Sequence, residues 1–161
     1  MGSSTLILGA GGAFPASGYR TGPFHDGASL NAEYELGLHR YVAATLGLDN
    51  FVLNLDNVSR LSVTQTRERV TLLPFGLRAI APLAGGRAEL FAGTGAAYLW
   101  SSAYDLQNLG GGFLWQLNGG ARVALDRAKH WRIGTTARFY RDLGRPTQQW
   151  VSLSGDVSYR F

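Results

Sequence analysis

Cysteine is absent from this 161-residue chain, which rules out both a disulfide framework and a thiolate metal site. Proline is scarce, at 5 residues, and lysine occurs once, as Lys129. The three histidines, His25, His39 and His130, lack ligand spacing, so no metal and no cofactor is expected. No apolar run approaches the roughly 20 residues of a membrane helix. The opening MGSSTLILGAGG lacks the basic and apolar regions of an export signal. Met1–Ser4 therefore reads as an appended stretch or a disordered N-terminus, with any export signal already removed, before a single domain over 5–161. The net charge of +4 is carried mostly by arginines scattered singly, with no basic recognition helix, so nucleic acid is not an expected partner.

Alternation is abundant. In the closing segment QWVSLSGDVSYRF, Val151, Leu153, Val157, Tyr159 and Phe161 interleave with Ser152, Ser154, Asp156, Ser158 and Arg160. A period of two places one face against an apolar medium and the other against a polar one. Seven earlier segments behave alike: Thr5–Phe14, Ala28–His39, one from Tyr41, Thr64–Ile80, Ala88–Trp100, Phe113–Leu125 and Trp131–Arg141. Segments of about ten residues cross a bilayer when tilted. Two places resist the pattern. Apolar parity flips after Asp49-Asn50, which suggests a bulge or a strand leaving the membrane, and Pro74 sits inside a strand.

The connections alternate in length. His39-Arg40-Tyr41, Ala81–Arg87 and Asp126–His130 are short; Pro15–Gly27, roughly Asp56–Val63, Ser101–Gly112 and Asp142–Gln148 are long. That is the rhythm of an all-β, eight-stranded antiparallel up-and-down barrel, and a transmembrane one if the apolar face meets lipid. A soluble lipid-carrying barrel shares the period of two. The apolar face favours lipid because it is nearly free of charge and ends in aromatics. Tyr41 and Trp131 mark one end; Tyr98, Trp100, Trp115 and Trp150 mark the other, as interfacial belts do.

The opposite face collects Glu33, Glu35, Arg78, Glu89, Arg122, Arg132, Arg138, Asp156 and Arg160. Eight strands leave an interior only wide enough for side chains, so this set reads as a plug of ion pairs, with a charge-lined ion path as the alternative. Arg20, Arg60, Arg67, Arg69, Arg141 and Arg145 lie toward the long connections, where guanidinium could pair with lipopolysaccharide phosphate or simply be solvated. For catalysis, only His25-Asp26 with Ser17 and Ser29 come into question.

The terminal VSLSGDVSYRF, the GAGGAFP opening and the strand FAGTGAAYLW resemble small outer-membrane barrels of the OmpA/OmpX/OmpW-like superfamily. The resemblance spans essentially the whole chain. It implies a bacterial outer-membrane location, membrane lipid as surroundings, and a terminal strand read by the barrel-insertion machinery through Leu153, Val157, Tyr159 and Phe161; a monomer is the expected state. The resemblance identifies the class and hardly the individual function, for which the leading reading is an envelope-stabilising or surface-interaction role without enzymatic activity. An OmpW-like conduit for small hydrophobic molecules or ions is the alternative, suggested by Pro74 and the small inner residues Gly93, Gly95 and Ala97. A lipid A hydrolase is the third reading, but no His-x-Ser-Asn signature is present.

Overall fold

A computed structural model describes residues 3–17, 24–59, 62–101, 112–143 and 149–161. Eight strands form one closed antiparallel barrel in chain order: β1 (Ser4–Ser17), β2 (Phe24–His39), β3 (Val42–Ser59), β4 (Ser62–Leu83), β5 (Ala88–Ser101), β6 (Phe113–Ala124), β7 (Trp131–Asp142) and β8 (Gln149–Arg160). Closure is made by β1 and β8, paired from Thr5↔Arg160 to Ser17↔Gln149. No sheet edge is left open at that seam, as a backbone surrounded by lipid requires.

The barrel is inverted relative to a soluble protein. Leu8, Leu30, Leu46, Leu77, Leu90 and Leu153 are among the large apolar residues exposed on its outside. Arg78, Arg122, Arg132 and Arg138 are almost completely buried within it. Only a hydrocarbon surrounding makes that distribution favourable, since exposed apolar area costs about 25 cal/mol per Å² in water.

Parity does not flip in β3. The β3–β4 register is unbroken in phase from Val42↔Ala79 to Ser59↔Ser62, and the β2 register passes through Asn31↔Asp49 and Ser29↔Phe51 without a shift. The expected bulge at Asp49-Asn50 is therefore absent. Instead, Phe51 points inward because the interior itself changes character. Toward the long connections it holds an apolar layer of Ala13, Phe51, Val70, Leu72, Ala97, Leu99, Leu114, Tyr140 and Trp150. Trp150, expected in an aromatic belt, is 6% exposed and belongs to this layer. Its height along the barrel suits a belt, but its even parity in β8 turns it inside.

Two connections also differ from expectation. Asp56–Val63 is not a long loop: β3 and β4 stay paired to Ser59↔Ser62, leaving only 60–61 between them. His25 and Asp26 lie in β2 rather than in the preceding connection. Pro74 coincides with a gap in pairing: β3 and β4 pair at Leu46↔Phe75 and again at Asp49↔Leu72, with Gly47, Leu48, Leu73 and Pro74 unpaired across that seam. On its other side Pro74 pairs with Ala97. A residue with no N–H donor has been placed so that only one neighbouring strand loses its bond.

The placement of the tryptophans is testable by quenching with phospholipids brominated on their chains. In single-tryptophan proteins, Trp100 fluorescence is expected to be quenched strongly, and Trp150 fluorescence to resist quenching. Equal quenching of the two would contradict an inward Trp150.

Candidate functional site: the charged lumen

Below the apolar layer, the inner face of the barrel carries five arginines and five acids among the described residues: Arg78, Arg122, Arg132, Arg138 and Arg160 with Glu33, Glu35, Asp49, Glu89 and Asp156. Period-two geometry puts them there: each occupies an inward position of its strand. Asp49 is the member that sequence reasoning passed over. Its signal was the odd parity shared with inward Ala43 and Thr45, obscured by the supposed flip just after it.

Ion pairs join all ten groups into one connected set. Nearest the apolar layer, Asp49 accepts from the Tyr140 hydroxyl and lies 3.6 Å from Arg138 Nε. Arg138 reaches Glu33 at 3.2 Å, and Glu33 meets Arg78 at 2.5 Å. Arg78 continues to Glu35 at 2.7 Å, and Glu35 to Arg122 at 3.2 Å. Arg122 then approaches Glu89 at 3.5 Å and Asp156 at 3.7 Å. Glu89 also binds Arg132 and, at 3.3 Å, the partly exposed Arg160. Charges removed from water are costly unless each has a partner, and here each has at least one.

An apolar ring sits inside this polar set. The guanidinium carbons of Arg78 and Arg122 lie 4.5 and 4.3 Å from the centre of the Phe91 ring. The ring's negative faces thus offset some of the positive charge that the carboxylates do not reach. Gly120 makes room for it: a Cβ there would stand 2.7 Å from Phe91 Cζ and 2.0 Å from the Thr135 carbonyl oxygen. The small residues of β5 are covered rather than vacant. Asn118, which accepts from Arg78 Nε at 3.2 Å, lies over Gly93, and Ala97 belongs to the apolar layer.

At the short-turn end a cavity of about 450 Å³ opens beneath Glu35, Glu89 and Arg132, with Ser3, His39, Arg40 and Arg160 also in its wall. The polar part of the lumen is therefore wetted from that end, while the apolar layer lies toward the other.

Outside, the aromatics sort by height. Trp131, Tyr159 and Phe161 cluster beside the seam, with ring centres 4.9 and 5.0 Å from Tyr159, and His130 stacks on Tyr159 at 5.7 Å. Tyr41 is exposed on the same rim. At the other end Tyr98 packs on Phe113 and Trp115 on Phe139, with Trp100 exposed. The Trp115 indole N–H donates to the Thr94 hydroxyl at 3.0 Å, which satisfies a donor facing lipid. Tyr34, apparently stranded at mid-depth, sends its hydroxyl to Ser4 Oγ at 2.6 Å near the short-turn rim. Leu153, Val157 and Phe161 face outward and exposed, with Tyr159 half-buried among its aromatic neighbours.

Arg69 and Arg141 are exposed on outward positions toward the long connections. Arg20, Arg60 and Arg145, and the side chains of Arg67, Ser17 and His25, lie outside the described residues. Ser29 is buried, and its hydroxyl donates to the Gly12 carbonyl at 3.4 Å.

No protein-family model matches the chain, and no curated protein matches it in sequence. Solved structures do. The neisserial surface protein A is similar with a TM-score of 0.64 at 12% identity, covering 99% of this chain and 97% of that one. The outer membrane protein OprG from Pseudomonas aeruginosa gives 0.63 at 13% identity, covering 98% and 95%. Ail, the attachment invasion locus protein of Yersinia pestis, in complex with the heparin analogue sucrose octasulfate, gives 0.60 at 12% identity, covering 99% of each chain. At such identities the likeness concerns the fold, and the fold is that of the small eight-stranded outer-membrane barrels.

Proposed function

We propose that this chain is a non-enzymatic barrel of the bacterial outer membrane, with a non-conducting lumen and a structural or surface-interaction role. The observation that carries this reading is the connected set of ten ionised groups beneath an apolar layer. Ions following the lumen would have to displace paired arginines and then cross side chains with almost no polar atoms. The charged set acts as a plug that also holds opposite walls of the barrel together, since its pairs link β2 to β4, β6 and β7. The short turns then face the periplasm and the long connections face outward. Arg69 and Arg141, with Arg20, Arg67 and Arg145 in sequence, are placed for lipopolysaccharide phosphates. Assembly would use the barrel-insertion machinery, reading the terminal strand through Phe161 and Tyr159. Ail, solved with a heparin analogue, is a precedent for surface binding on this fold.

One observation favours a second reading. The unpaired stretch Gly47-Leu48 against Leu73-Pro74 weakens the β3–β4 seam and could serve as a lateral exit for a small hydrophobic solute.

Recorded in a planar bilayer, the refolded protein is expected to show no discrete conductance steps. Stable steps altered by Arg122→Ala or Glu89→Ala would make transport the better reading. The lateral route has its own check in Pro74→Ala, which restores a donor at the gap. Uptake of a hydrophobic dye into protein-containing vesicles should be the same for both proteins if the seam is only structural. A selective loss in the variant would support the conduit.

The plug also predicts stability. Glu33→Ala deprives both Arg78 and Arg138 of a carboxylate, and breaking buried pairs costs about 3–5 kcal/mol. Urea unfolding in lipid vesicles should show a loss of that order, against nearly none for outward-facing Arg141→Ala. Equal stability of the two variants would argue against a structural plug.

A further inference from the structure

The positive charge of this protein is not spread evenly along the barrel axis. Its fifteen cations and eleven acids include the lumen's five and five, which cancel. In and beside the long connections, six arginines face five acids in the sequence. The short turns hold Arg40, Arg87, Arg127 and Lys129 against a single acid, Asp126. Three quarters of the net charge therefore belongs to one rim.

That rim is built at the level of its aromatics. Arg40 lies over the Tyr41 ring, its guanidinium carbon 4.3 Å from the ring centre. Lys129 and His130 immediately precede Trp131. Lys129 adopts a positive φ of 63°, and its ammonium donates to the Gly85 carbonyl at 2.6 Å, which ties the β6–β7 turn to the β4–β5 turn. Among the described residues none of the four cations has a carboxylate partner, and each keeps donors to spare. Asp126 offsets one of the four and forms no ion pair with any of them among the described residues. Its two carboxylate oxygens accept the backbone N–H groups of Trp131 at 3.0 Å and His130 at 3.3 Å, so they serve their own turn.

We infer that the short-turn rim is a binding surface for anionic phospholipid headgroups of the adjoining leaflet. The aromatics fix the rim at headgroup depth, and the cations beside them meet the phosphate layer there. Guanidinium matches phosphate oxygens bidentately, and a headgroup with net negative charge is preferred over a zwitterionic one because the rim's one acid, Asp126, leaves its four cations in excess. Arg40 also borders the mouth of the lumen, but the surface does not depend on whether the lumen conducts.

Trp131 reports on this rim. A protein with Trp100, Trp115 and Trp150 changed to Phe is inserted into phosphatidylcholine vesicles. These carry equal mole fractions of either brominated phosphatidylglycerol or brominated phosphatidylcholine. At low salt the charged lipid is expected to associate at least about fivefold more strongly, the effect of one cation at about 1 kcal/mol. The combined Arg40→Gln, Arg87→Gln, Arg127→Gln and Lys129→Gln protein should lose the preference, whereas Arg69→Gln with Arg141→Gln should keep it. Salt near 1 M should abolish it, because screening then acts within about 3 Å. Equal quenching by the two lipids in the parent protein, or a preference that survives the fourfold change, would overturn the inference. Folding of each protein is verified by its gel mobility without boiling. If Trp150→Phe blocks folding, the same comparison is made with Trp150 retained.

Discussion

Ten ionised side chains confined within eight strands can be neutralised only by one another. Lipid lies beyond the wall, and water reaches them mainly from one end. Much else follows from that constraint. The acids and arginines must balance in number, and they must alternate along the axis so that each arginine touches at least one carboxylate. The pairs must also reach across the barrel, because strand register sets only Glu89 and Arg122 directly beside each other. Arg138 of β7 meets Glu33 of β2, and Arg122 of β6 meets Glu35 of the same strand. The electrostatic requirement thus becomes a mechanical one, with opposite walls held at a fixed distance.

Volume imposes a second condition. Arginine is long, and four of them are almost completely buried in one small barrel. Beside one of them the wall is bare: Gly134 pairs with Arg122, and a Cβ there would stand 2.6 Å from Arg122 Cγ. Gly76 and Gly95 face each other across β4 and β5 so closely that a Cβ at Gly95 would lie 2.1 Å from the Phe75 carbonyl oxygen. Read without the partner strands, a line of small inward residues suggests an opening. Read with them, the line is closed by the backbone of β4 at Gly95 and by the Asn118 side chain at Gly93. Toward the long connections the charges stop and the same lumen is filled by Phe51, Leu72, Leu114 and Trp150, whose packing needs no pairing.

Most of the architecture was legible in the sequence because lipid and lumen impose opposite polarity at a strict period of two. The strands, their faces and the short turns follow from that alone. The failures occur where the polarity rule lapses. Inside the apolar layer, an inward Phe51 looks like an outward residue of the wrong parity, and this hid Asp49 from the charged set. Trp150 was misread for the same reason: an aromatic at belt height is assigned by height when its parity should decide. The pairing of β3 with β4 out to Ser59↔Ser62 was not legible in the sequence, because how far two strands stay paired depends on their register with each other and not on the pattern within either one. Which carboxylate meets which arginine was not legible either. That depends on the stagger between distant strands, which no local pattern encodes.

The two ends of the barrel differ in how they use charge. In the lumen, each ion is committed to a partner at fixed distance, and the set as a whole presents no net charge to anything outside. On the short turns the opposite holds: the cations sit on two-residue and longer turns at the water boundary, unburied and without an ion-pair partner among the described residues, although Lys129 also ties its turn to the Gly85 carbonyl. Arginine in the lumen is a strut; arginine and lysine on the rim remain available. Because burial fixes the first group and solvent leaves the second free, a substitution in one should change stability without changing surface charge at the rim, and a substitution in the other should do the reverse. Charge of the same chemical kind thus divides into a structural and an interacting population by depth alone.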